Sequence, residues 1–139
     1  NYSGKQNETA FVTYIESKNV DWWYKSGNSG SEHFSIPFYD DVERKEKLFY
    51  PDWIIKIKDT ILILDTKQGL SGTVGSADTK RKAEALQKWI KEQNKAGKKF
   101  KGGIISEVGE IWKINNNNEY KADANYTEWK NLSEVLQDR

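Results

Sequence analysis

The chain of 139 residues has no cysteine, no methionine and a single histidine, His33. Without cysteine there are neither disulfides nor thiolate metal sites. With one histidine, a multi-histidine metal centre is excluded and a histidine-based nucleophilic triad is disfavoured. No apolar run approaches the ~18 residues of a membrane span, and no signal-peptide pattern is present, so no membrane partner is expected. The chain starts at Asn1 and lacks methionine, which reads as a domain excised from a larger protein. Excess charge of one sign is also missing: 22 basic residues stand against 21 acidic ones, so the chain is not a global polycation.

Aromatic residues are abundant. Six Trp, seven Tyr and five Phe can build a core despite a hydrophobic content of 36%. The length suits one domain. Basic charge is also concentrated locally. Between Lys80 and Lys101 there are nine basic residues and two acidic ones. Such a run is either a solvated helix face or a phosphate-contacting patch, and both readings stand at this point.

The segment from Tyr50 to Lys67 organises the rest. Trp53 to Ile57 and Thr60 to Leu64 are two apolar runs joined by Lys58-Asp59, the pattern of a β-hairpin. The second run is apolar on both faces, as in a covered central strand. It ends in Asp65-Thr66-Lys67, and strand alternation puts Asp65 and Lys67 on one face. Asp52 opens the neighbouring strand, so two carboxylates and an ammonium converge at one end of the hairpin. Desolvating that group is costly unless a metal or substrate shares it. Paired carboxylates suit Mg²⁺, which activates water and neutralises phosphoryl charge, while the lysine steadies the developing anion. The plain structural alternative is that both aspartates are strand-end turn residues.

Pro51-Asp52, followed thirteen residues later by Asp65-Thr66-Lys67, resembles the PD-(D/E)XK nuclease superfamily. The flanks Val20-Asp21-Trp22-Trp23-Tyr24-Lys25, Phe34-Ser35-Ile36-Pro37-Phe38-Tyr39 and Phe49-Tyr50 are similar to the C-terminal endonuclease domain of type III restriction enzymes and related helicase-nucleases. The likeness covers roughly residues 8 to 90. It implies an α/β fold with a restriction-endonuclease-like core, a central mixed sheet of about five strands flanked by helices. It implies Mg²⁺-dependent hydrolysis of DNA phosphodiesters, with Mn²⁺ as a substitute and Asp52, Asp65 and Glu8 as metal-holding catalytic residues. The Thr66 carbonyl is a further ligand on this reading, and Lys67 assists the attacking water. Implied partners are DNA, a helicase/translocase domain that alone uses ATP, and a methyltransferase subunit, in the cytoplasm. A non-catalytic nucleic-acid-binding module of the same fold is the alternative.

The remaining elements follow from local patterns. Residues 1–7 read as a linker or disordered end, and 8–139 as the single domain. Asn7 is positioned to cap a helix from about Glu8 to Ser17, with Phe11, Val12 and Ile15 as its apolar stripe and Glu8 at its head. Val20 to Lys25 and Phe34 to Tyr39 read as strands around a turn at 26–31. Trp22, Trp23 and Tyr24 suit core or sheet-edge packing better than a base-stacking platform. Lys25 is open to a phosphate or to solvent. The charged stretch from Asp40 to Lys47 reads as a loop or a hairpin arm. Residues 68–76 carry three glycines and form a candidate substrate loop. A helix is expected from about Ala77 to Ala96, with Lys80, Lys82 and Lys88 as DNA-binding candidates. A hairpin then turns at Val108-Gly109, and a last helix opens at Thr127 with Trp129 and Leu132 inward.

Overall fold

A computed structural model describes residues 3–26, 34–67, 76–123 and 125–137, with the side chains of 3–8 and of 137 outside that description. The protein is a mixed α/β structure built on a six-stranded mixed sheet. In chain order it runs α1 (Ser3–Glu16), β1 (Trp22–Lys25), β2 (Ile36–Asp40), β3 (Lys45–Phe49), β4 (Trp53–Ile57) and β5 (Thr60–Thr66). It continues through α2 (Ala77–Lys95), β6 (Phe100–Val108), β7 (Ile111–Asn115), β8 (Lys130–Asn131) and α3 (Leu132–Gln137). The sheet order is β1-β4-β5-β6-β7-β8, with β2 and β3 forming a separate two-stranded ribbon. Among the described strands only β5 and β6 run parallel; their connection contains α2, as a crossover between parallel strands requires.

The β4–β5 hairpin pairs Trp53 with Leu64 and Ile57 with Thr60. Its two-residue turn places Lys58 at φ 55°, the left-handed geometry that matches the twist of the flanking strands. Leu62 and Leu64 face one side of the sheet, where they join Trp53, Ile55, Phe11 and Ile15 in a core under α1. Ile63 faces the other side with Ile36, Phe38, Phe49, Leu86 and Ile90, beneath α2 and the β2–β3 ribbon. The doubly apolar run in β5 is thus covered on both faces. Helix α2 is capped by Ser76, whose hydroxyl accepts the Thr79 N–H at 3.0 Å. On β6, a Cβ at Gly102 would come within 2.0 Å of the Ile63 carbonyl, so that close strand approach needs glycine.

Several expectations shift. The first helix begins at Ser3, so residues 3–7 are helical and not a linker. Residues 45–49 form a strand paired with β2, and the turn before it is anchored by Asp40. That carboxylate is buried; it accepts the Val42 and Glu43 N–H groups and pairs with Lys47 at 2.9 Å. The Lys47 contact, followed by those backbone donors, holds its pKa down to about 2. Near the C-terminus, Trp129 is buried but precedes β8, and the closing helix starts only at Leu132. No helix among the described residues is long and apolar enough to cross a membrane.

Candidate active site

The register of the sheet lines up one row of residues at the end of the hairpin. Lys25 pairs with Trp53 and Trp53 with Leu64, so the next positions along, Ser26, Asp52 and Asp65, lie across from one another; Asp65 in turn pairs with Ile104 of β6. The Ser26 N–H donates to the Asp52 carbonyl at 2.7 Å and continues that row past the end of β1. Asp52 Oδ2 accepts the Thr66 N–H at 3.0 Å, and the Trp53 indole donates to Thr66 Oγ1 at 3.1 Å. These bonds cross from the start of β4 to the end of β5 and hold Asp52 over the Asp65-Thr66-Lys67 segment.

Asp65 is 2% exposed. Its Oδ2 meets the Lys67 ammonium at 2.8 Å in a buried ion pair. Burial, then the nearby Asp52 charge, raises the Asp65 pKa to about 6, against the opposing pull of Lys67 and Lys82. Lys67 is largely buried as well. Burial alone would lower its pKa, but the Asp65 and Asp52 charges outweigh that and raise it. The backbone N–H of Lys67 donates to the Ile105 carbonyl at 2.9 Å, extending the parallel β5–β6 ladder by one bond and fixing where the lysine leaves the sheet.

Besides Asp65 Oδ2, whose partner is the Lys67 ammonium, three buried side-chain polar atoms among the described residues lack a hydrogen-bond partner: Ser26 Oγ, Ser106 Oγ and Trp129 Nε1. The two serines lie at this end of the sheet. Ser106 follows Ile105 on β6, beside the point where Lys67 leaves β5. Buried polar atoms are nearly always satisfied, so two such hydroxyls at the strand end that holds Asp65 mark a polar surrounding.

The basic candidates are distributed differently. Lys25 Nζ lies 3.9 Å from Asp52 Oδ1 and 5.6 Å from the centroid of the Trp53 ring. Lys82 lies over the Phe38 and Phe49 rings at 6.0 and 5.8 Å, pairs with Asp78 at 3.0 Å and lowers the Asp65 pKa through its charge. Lys80 turns away, to Glu84 at 2.6 Å and the Tyr120 carbonyl at 3.3 Å. Lys88 is exposed, eight residues further along α2 than Lys80. The structure therefore brings Lys25, Asp52, Asp65, Thr66, Lys67 and Lys82 together, and leaves Lys80 and Lys88 apart from them. The Glu8 side chain, His33, the turn at 27–31 and the loop at 68–75 lie outside the described residues.

Among the described residues no group of three or more His, Asp or Glu converges. Asp52 and Asp65 are a pair of carboxylates, sufficient for a cation that retains several waters. Asp78 belongs to the surroundings of the site: its charge contributes to the raised pKa of Lys67 and it tethers Lys82. The only sequence signal for it was its place in the first turn of α2. No protein-family model, curated protein or solved structure matches this chain.

Proposed function

We propose that this chain is a Mg²⁺-dependent endonuclease domain with a restriction-endonuclease-like core, hydrolysing DNA phosphodiester bonds at the Asp52–Asp65–Lys67 end of the sheet. The observation that carries this reading is Asp65: a fully buried carboxylate beside a second carboxylate, paired with the Lys67 ammonium. A cation shared with Asp52 would relieve both the burial and the repulsion, and hard oxygen ligands suit Mg²⁺.

On this reading Asp52 and Asp65 hold the metal, with the Thr66 carbonyl and Glu8 as further proposed ligands. Bound Mg²⁺ supplies a Lewis acid and a water of lowered pKa. Lys67, already charged and turned into the site by Asp65, orients the attacking water and stabilises negative charge on the phosphoryl oxygens. Lys25 and Lys82 approach from opposite flanks and bind the phosphates on either side of the scissile bond. The Thr66 N–H bond to Asp52 Oδ2 limits rotation of that carboxylate, which would help it hold a cation.

The wider proposal is the nuclease part of a type III restriction enzyme. In it a translocase domain consumes ATP, a methyltransferase subunit joins the complex, and the setting is cytoplasmic. It is supported by the order of the flanking motifs around Trp22-Trp23-Tyr24-Lys25 and Phe49-Tyr50-Pro51-Asp52. The limited count of two carboxylates favours a second reading, a DNA-binding module without catalysis. Plasmid nicking by the purified chain decides between them. Nicking that appears with Mg²⁺ or Mn²⁺, stops with EDTA and is lost in Asp65→Asn supports the nuclease. DNA binding that weakens as Mg²⁺ is added, with no nicking at any cation concentration, supports the module.

A further inference from the structure

The face of the sheet that carries Asp52 and Asp65 continues onto the edge strand β1, where two aromatic rings stand half in water. Trp22 is 45% and Tyr24 47% exposed. Trp23 between them points to the other face and packs against Trp53, with ring centroids 5.8 Å apart. The register sets Tyr24 beside Ile54 and Trp22 beside Lys56, and Ile54 beside Ile63. The Asp52–Asp65 row is the next one along. Measured along the strands, Tyr24 therefore stands one row, about 7 Å, from the level of the carboxylates, and Trp22 two rows, about 13 Å.

Large rings left in water on an edge strand are a cost unless something covers them. The surrounding charge selects what does. Lys25 follows Tyr24 directly and reaches Asp52, while Lys56 sits opposite Trp22, held by Asp21 at 3.5 Å and by the Lys58 carbonyl. Rings one row apart, interleaved with ammonium groups, match a polyanion that carries flat π-faces. Paired bases in a duplex keep their faces stacked on one another, so an intact duplex has none to offer. An unpaired strand does.

We propose that Trp22 and Tyr24 form a stacking platform for two nucleotides of an unpaired DNA strand leading to the Asp52–Asp65 row. This rests on the nuclease reading and names the substrate of that site, DNA with a single-stranded or frayed segment beside the scissile bond. Tyr24 takes the nearer base and Trp22 the next one out. Lys25 and Lys56 meet the phosphates.

Binding in EDTA, where no cleavage occurs, tests this with fluorescence anisotropy of labelled oligo-dT, an abasic oligonucleotide of equal length and a blunt duplex. The full chain is expected to bind oligo-dT about tenfold or more tightly than the abasic strand, which has the same phosphates and no bases. Trp22→Ala and Tyr24→Ala should each remove about tenfold of oligo-dT binding, leaving abasic and duplex binding within about twofold, while Trp22→Phe and Tyr24→Phe keep most of it. Equal binding of oligo-dT and abasic strand by the parent protein overturns the platform without relying on any variant. So do equal losses on all three ligands, which would indicate a charged or protein-docking edge. If the binding pattern appears and Mg²⁺-dependent nicking does not, the platform stands and the nuclease reading falls. If nicking appears and the base preference does not, the platform falls alone.

Discussion

Asp52 and Asp65 face one another across neighbouring strands but occupy unequal surroundings: the Asp52 side chain is 32% exposed and that of Asp65 only 3%. Asp65 therefore bears the electrostatic cost of the pair, and its pKa rises to about 6, first through burial and then through the Asp52 charge.

The consequence for stability has a definite sign. A carboxyl that binds its proton more tightly in the folded protein than in the unfolded chain favours folding at acid pH. Here that contribution is complete below the unfolded value near ~4 and is lost as pH rises through about 6. The carboxyls whose pKa values are lowered, Asp40, Glu43, Asp59, Glu84 and Asp123, act the other way: their contributions are present above their unfolded values and lost as pH falls below ~4. Among the described residues, the interval between about pH 4 and 7 thus belongs mainly to Asp65. In EDTA the melting temperature should fall across it, as up to about 3 kcal/mol of stability is lost. Mg²⁺ should reverse the fall by binding the native state. Melting curves of Asp65→Asn that keep the parent's slope would locate the titrating group elsewhere.

Asp52→Asn removes one charge while the side-chain oxygen can still accept the Thr66 N–H. The second cause of the raised Asp65 pKa disappears, so the Asp65 carboxyl should titrate at lower pH, as read from its ¹³C shift. The Mg²⁺-induced rise in melting temperature should be mostly lost. An unmoved Asp65 titration together with a full Mg²⁺ shift would make Asp52 a turn residue.

Lys67 is the counter-charge of a buried carboxylate, so its removal acts on folding as well as on catalysis. Lys67→Ala should reduce Mg²⁺-dependent nicking by ~10²–10³. It should also destabilise the metal-free protein by about 3–5 kcal/mol at pH near 8, the usual cost of an unpaired buried charge. Near pH 5 the loss should shrink, because Asp65 can then take up a proton instead. Parent-like nicking, or a stability loss independent of pH, would contradict the pairing.

What was legible in the sequence follows how local the causes are. The β4–β5 hairpin, α2 and the Asp-x-Lys strand end were readable because alternation, the helical spacing of Ala83, Leu86 and Ile90 and the turn at Lys58-Asp59 lie within a few residues. Strand β3 was left open between a loop and a hairpin arm. Its residues Lys45-Glu46-Lys47 are charged, and pairing with β2 and the burial of Phe49 with Ile63 and Leu86 decide for the arm. Residues 3–7 lack the apolar stripe that marks a helix, yet are helical ahead of Phe11. Strand β8 has two residues and exists through pairing with β7. At the site, the spacing of Asp52, Asp65 and Lys67 was visible. The direction each α2 lysine takes was not, because it depends on partners such as Glu84, the Tyr120 carbonyl and the Phe38 and Phe49 rings.

That divergence among the α2 lysines leads to the last prediction. Lys80 and Lys82 stand two residues apart on one helix, roughly 200° around its axis. Lys82, paired with Asp78, is held over Phe38 and Phe49 and within electrostatic reach of Asp65, whereas Lys80 points to Glu84 and the Tyr120 carbonyl. A lysine that neutralises a phosphate in the complex contributes about 0.9 to the log–log salt slope on duplex DNA; one directed away from the carboxylates contributes little. Lys82→Gln should therefore lower that slope by about 0.9 and slow nicking. Lys80→Gln should leave the slope unchanged and lower the melting temperature slightly, since it removes a partly exposed ion pair and a carbonyl contact. Lys88→Gln, exposed and distant from the carboxylates, should change neither nicking nor stability. Titrations of the three single variants at four or five salt concentrations, with melting curves alongside, separate the cases. An equal slope reduction in all three would mean that DNA lies along the outer face of α2. No reduction in any of them would leave Lys25 and Lys67 as the phosphate contacts.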